Sequence, residues 1–177
     1  ALGLEQEERW EFCRVVLRDL GVAIDRDDPD LVRLMDVLDG HPLMMRVVLP
    51  LLEDRSAGQL VAALQTNLKE LGLRGEETHE KLLATLRFVE QSLPAELQPL
   101  LIPLALHERF VDADYLEPMA RQIEEFWTRE RIDRFLGTLS VAGLVRDRGQ
   151  AIYEIHPALT GYLRSERLGP PPDALRD

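Results

Sequence analysis

Lysine and histidine are scarce in this chain, and their spacing limits the chemistry it can hold. Its two lysines, Lys69 and Lys81, do not follow a glycine. A Walker-type phosphate loop ends in Gly-Lys-Ser/Thr, with backbone N–H groups cradling phosphates and the lysine reaching the terminal ones. That loop is absent from the sequence, so these residues alone do not make a P-loop ATPase. The histidines, His41, His79, His107 and His156, lie tens of residues apart. Neither His79-Glu80 nor His107-Glu108 is completed by a second histidine at helical spacing, so no metal site is expected. Paired carboxylates such as Asp27-Asp28 and Glu124-Glu125 read as solvated surface. Serine, histidine and aspartate occur without a nucleophile elbow to organise a triad. The single cysteine, Cys13, has no internal partner and reads as a core residue suited to a reducing, cytoplasmic compartment. The expectation is a non-catalytic chain.

The elements that would position any site are helical. Hydrophobic residues make up 45% of the 177 positions, enough to fill one ordinary core or two small ones, while the 6% aromatic content disfavours a sandwich or barrel. No apolar run approaches the roughly 20 residues of a membrane span. The formal charge of −11 repels phosphate backbones at long range, so nucleic acid would need a local basic patch.

Apolar residues Trp10, Cys13, Val16, Leu17 and Leu20 recur at three and four positions and predict a first helix closed by Gly21. Leu31, Leu34, Met35 and Leu38 mark a second, ending at Gly40. Pro42 opens a third, running to about Glu53, with Pro50 disturbing its last turn. Ser56 caps a fourth, carrying Leu60, Ala63, Leu64 and Leu68, and Gly72 to Thr78 is the best internal boundary. Such short helices cannot stand alone in water, so residues 1–75 are expected to form a small bundle.

Beyond it, Leu82, Leu83, Leu86, Val89 and Leu93 predict another helix, and Leu97 to Leu106 one kinked by Pro99 and Pro103. Asp112 or Asp114 caps a helix through Met119, Ile123 and Phe126, and Arg129 to Ala142 forms the next. Then the period changes. Leu144–Arg146 and Ala151–Ile155 read as two strands around the turn Asp147–Gln150, and His156-Pro157 opens a last helix. Residues 79–168 thus read as a winged-helix domain with a two-stranded hairpin, and 169–177 as a proline-rich tail or linker. The fold class is mainly α.

Two local patterns stand in order: Gly40-His41-Pro42-Leu43 within the bundle, and Ile155-His156-Pro157 after the hairpin. Together with the leucine pattern, Leu93-Pro94 and Gly143-Leu144-Val145, they resemble the region downstream of the nucleotide-binding core in STAND-class signal-transduction ATPases, which include the NB-ARC proteins. The resemblance covers about Leu4 to Leu168, as helical lid plus winged helix. In that family a Gly-x-Pro-Leu proline packs on the adenine, and a histidine of a Met-His-Asp motif contacts the ADP β-phosphate. It implies that Gly40 and Pro42 contact the base and that His156 senses phosphate, only in the intact protein. Pro157 stands where the family has aspartate, as bacterial members often vary there, which leaves a carboxylate lock without its residue.

The resemblance implies no cofactor for these residues by themselves and ADP or ATP in a longer parent. Its implied partners are an upstream P-loop domain and a downstream sensor, such as helical repeats, with no membrane. Plain alternatives stay open: Pro42 as a helix start, and His156 as a helix-entry residue satisfied by backbone. Two other functions are weighed as well. A winged helix could bind DNA through Arg129, Arg131, Arg134, Arg146 and Arg148, although Glu130 and Asp133 interrupt that face. A structural helical interaction module is the other.

Overall fold

The computed structural model describes residues 4–19, 21–23 and 25–168. Leu20 and the proline-rich stretch 169–177 lie outside the described residues. The chain divides into two compact units, Ala1–Val89 and Glu90–Asp177.

In the first unit, α1 (Gln6–Asp19), α2 (Pro29–Leu38), α3 (Pro42–Val48) and α4 (Ala57–Glu70) precede α5 (Thr78–Ser92), which begins there and ends in the second. Each start has a local cause. Asp28 accepts the Asp30 N–H and Pro29 supplies the first turn of α2. Ser56 and Gln59 form a reciprocal capping box that opens α4. Pro50 cannot continue the α-helical ladder, and the expected third helix accordingly tightens into a 3-10 turn, Leu49–Glu53.

The apolar stripes meet in a core of Cys13, Leu17, Leu34, Leu38, Met44, Met45, Leu60 and Leu64, each at most 1% exposed. Burial in this core pushes the Cys13 thiol up to about 11, so it stays protonated and inert at neutral pH. Asn67 and Thr85 are buried polar residues in this unit, and Thr85 Oγ1 donates to the Lys81 carbonyl within α5; for Asn67 the partner lies on another helix. Its Nδ2 donates to the Ala84 carbonyl at 3.2 Å, which ties α4 to α5 without leaving the amide donor unmet.

The second unit holds a 3-10 turn (Gln98–Leu100), α6 (Leu101–Ala105), β1 (Phe110–Asp112), α7 (Ala113–Arg121), α8 (Arg129–Val141), β2 (Val145–Asp147), β3 (Ile152–Ile155) and α9 (Pro157–Leu163), which ends in a π turn through Leu168. The strands form an antiparallel sheet in the order β1-β3-β2, with Val111 opposite Tyr153 and Arg146 opposite Glu154. The sheet therefore has three strands where the sequence predicts a two-stranded hairpin. The segment Phe110–Asp112 is too short to show period-two alternation, and its pairing comes from β3.

Asp112, rather than Asp114, caps α7. That helix stops at Arg121 instead of running through Phe126. Ile123 and Phe126 are 46% and 49% exposed, while Trp127 takes the core position and its carbonyl accepts from Arg121 Nε at 2.9 Å. The buried residues of this unit include Leu97, Leu104, Val111, Leu116, Trp127, Ile132, Phe135, Leu136 and Tyr162. The architecture is mainly helical, with one small antiparallel sheet.

Candidate functional site

The first candidate residues sit at the α2–α3 corner. The chain leaves α2 through two successive left-handed residues, Asp39 at φ 51° and Gly40 at φ 62°. The Asp39 N–H donates to the Met35 and Asp36 carbonyls, and the His41 N–H to Leu38, so the end of α2 is satisfied by backbone. Gly40 is required twice over. Its φ favours glycine, and a Cβ would lie 2.5 Å from Arg9 Nε and 2.6 Å from the Leu4 carbonyl. That close approach comes from the Leu4 N–H, which donates to the Gly40 carbonyl at 2.9 Å.

Pro42 follows as the first residue of α3 and is exposed, while Leu43, Met44 and Met45 behind it are buried. The ring is therefore carried by a backbone-bonded corner and a packed helix, and it is exposed. This geometry also serves a plain helix start, which the sequence alone left open.

His41, between the two, is the N-cap of α3 but makes no side-chain cap bond, and its Nδ1 is buried without a hydrogen-bond partner. Burial holds this imidazole below its ordinary value of 6.5, with the Asp39 carboxylate opposing in part. The folded state thus prefers the neutral ring. Below 6.5 the unfolded chain takes up this proton first, so the stability present above 6.5 declines as pH falls toward the folded value. Urea midpoints measured between pH 7.5 and 5 should show that decline, and His41→Gln should flatten it.

His156 lies in the second unit, between β3 and α9, and caps α9. Its N–H donates to the Leu144 carbonyl at 2.8 Å, and its Nδ1 accepts from the Ala158 N–H at 3.2 Å. A ring nitrogen that accepts carries no proton, so this bond selects the tautomer protonated on Nε2. The helix-entry role weighed in the sequence is therefore present. It coexists with a ring that is a donor at its other nitrogen. Pro157 occupies the first turn of α9.

Of the five arginines that could have made a basic face in the second unit, Arg129, Arg131, Arg134 and Arg148 have other partners, and Arg146 is exposed on β2. Arg129 bridges Asp114 and Asp133, and these hydrogen bonds raise its pKa. Arg131 stacks over Phe126 at 4.9 Å, and Arg134 pairs with Glu96 at 3.4 Å. Arg148 pairs with Glu154, whose carboxyl is held below its usual range first by that hydrogen bond, and Arg109 approaches the same carboxylate at 3.7 Å. These ion pairs put carboxylates among the cations a phosphate backbone would need.

Among the described residues no group of three metal-ligating side chains comes together, and no helix is long and apolar enough to cross a membrane. The first unit has an open cavity of about 210 Å³ between α1 and α2, lined by Gln6, Arg9, Trp10, Val32, Met35 and Asp36. Sequence reasoning missed Asp39, Arg9, Thr78 and Lys81, which gather at the corner from separate elements. Compared with protein-family models, curated proteins and solved structures, the chain matches none.

Proposed function

We propose that these residues are the helical lid and winged-helix region of a STAND-class ATPase, a non-catalytic part that couples ADP or ATP state to signalling by a longer parent. The observation that carries this is the order of the second unit, helix, strand, helix, helix, strand, strand, helix, with the first strand added to the edge of the hairpin. A winged helix has this order. The third strand supports the reading independently of the short motifs that suggested it.

In this reading Pro42 packs flat against the adenine base, which an exposed proline on an immobilised corner can do without a hydrogen bond. His156 donates to the β-phosphate from Nε2. A lid and a winged helix touching one nucleotide would form an element with two states, each favoured by a different nucleotide. The catalytic and phosphate-cradling groups belong to an upstream P-loop domain. A downstream sensor would supply the trigger.

Calorimetric titration of the 177-residue chain with ADP and with ATP tests the division of labour. The expected result is no binding, or binding no tighter than about millimolar, because one ring and one donor recover little of the entropy of association. Micromolar affinity would overturn it. The DNA-binding alternative is disfavoured by the carboxylate pairing of Arg129, Arg134 and Arg148. Association with duplex DNA at low salt, falling steeply as salt rises, would restore it.

A further inference from the structure

The corner is held by more than its backbone. Four side chains from three elements converge on it. Asp39 Oδ2 accepts from Thr78 Oγ1 at 2.5 Å and lies 3.9 Å from Lys81 Nζ, both at the start of α5. Asp39 Oδ1 lies 3.9 Å from the Arg9 guanidinium of α1. The same cations also grip backbone. Arg9 Nε donates to the Leu4 carbonyl at 2.8 Å, and Lys81 Nζ to the Asp36 carbonyl at 3.5 Å. Leu4 in turn is bonded to Gly40.

Arg9 and Lys81 carry like charges and would repel if brought together without an anion between them. One carboxylate placed between them solves this, and Asp39, a left-handed residue at the end of α2, reaches both neighbours. The side chains of Lys81, Arg9 and Asp39 are 18%, 28% and 34% exposed, so water screens the cluster only partly. Other ionisable groups nearby are His41, two residues on in the chain, and Glu80, whose carboxylate is committed to the Gly75 and Glu76 N–H groups.

We propose that Asp39 is a positioning residue, an ionic latch that makes the start of α1, the Gly40–Pro42 corner and the start of α5 move as one piece. Its consequence for nucleotide presentation by Pro42 rests on the function proposed above. The latch itself does not. Release of any one arm would loosen the other two, giving the lid a place where a change at the corner reaches α1 and α5 together.

Amide hydrogen exchange on the 177-residue chain tests this without nucleotide. Asp39→Asn is the informative variant, because asparagine tolerates the left-handed conformation and keeps a hydrogen-bonding group while losing the charge. The latch predicts exchange faster by about two- to fivefold at Leu4 and Arg9, at His41 and Met45, and at Lys81 to Thr85 together. Arg9→Gln should speed exchange in α5, and Lys81→Gln should speed it at Leu4 and Arg9. Raising salt to about 1 M should do the same in the wild type and add little in Asp39→Asn. The proposal is overturned if Arg9→Gln and Lys81→Gln each loosen only their own helix, or if salt acts equally on the wild type and on Asp39→Asn. These rates are indifferent to whether Pro42 ever meets a base, so failure of the latch and failure of the nucleotide reading are separate results.

Discussion

Gly40→Ala is expected to destabilise the first unit by about 2–3 kcal/mol, from left-handed strain of about 1–2 kcal/mol and a lost backbone hydrogen bond of about 1 kcal/mol. The second part arises because the new methyl would meet Arg9 Nε at 2.5 Å and the Leu4 carbonyl at 2.6 Å. The arginine can swing aside. The carbonyl cannot do so without disturbing the Leu4 to Gly40 hydrogen bond. Gly72→Ala separates the two contributions, because Gly72 has a similar φ of 69° with nothing within 4 Å of its added Cβ. That variant should lose only the strain. Equal losses for the two in chemical denaturation would mean that the close approach at the corner carries no energy.

Phe135→Ala should cost about 3–5 kcal/mol, a large effect for a single side chain. Phe135 is 0% exposed on α8, in the core that also holds Trp127 and Tyr162. Removing its ring leaves a cavity that packed neighbours only partly fill, so the loss exceeds that of the transferred surface alone. Tyr115→Ala supplies the contrast. Tyr115 is 70% exposed, and its removal should change stability by no more than about 0.5 kcal/mol. Denaturation followed by the fluorescence of buried Trp127 reads both variants.

The helices were legible in the sequence because their causes are local. Ser56 with Gln59, Pro29 after Asp28, and Pro50 within an apolar run each act on the backbone a few residues away. What was not legible depended on distant partners. The strand Phe110–Asp112 exists because β3 offers it an edge, and no period within three residues announces that. The end of α7 was hidden for a related reason. Ile123 and Phe126 continue helical spacing, yet Trp127 competes for the same core and wins it.

The corner divides in the same way. Gly40 and Pro42 signalled a helix junction through their own backbone preferences, and the structure has that junction. The ionic cluster at Asp39 could not be seen, because Arg9, Thr78 and Lys81 reach it from α1 and α5 and nothing in their spacing pairs them. His156 was legible as a helix entry, and its Nδ1 bond to Ala158 adds the tautomer that sequence could not supply.

The proposed nucleotide-sensing role is most directly tested by the ADP content of a protein in which this chain is joined to the upstream P-loop domain the proposal requires, purified as wild type and as His156→Ala. The account predicts that the wild type retains ADP, and that the variant loses it and shifts toward the signalling state, because the ring that holds the β-phosphate is gone. Equal ADP retention and unchanged signalling in the two proteins would contradict it.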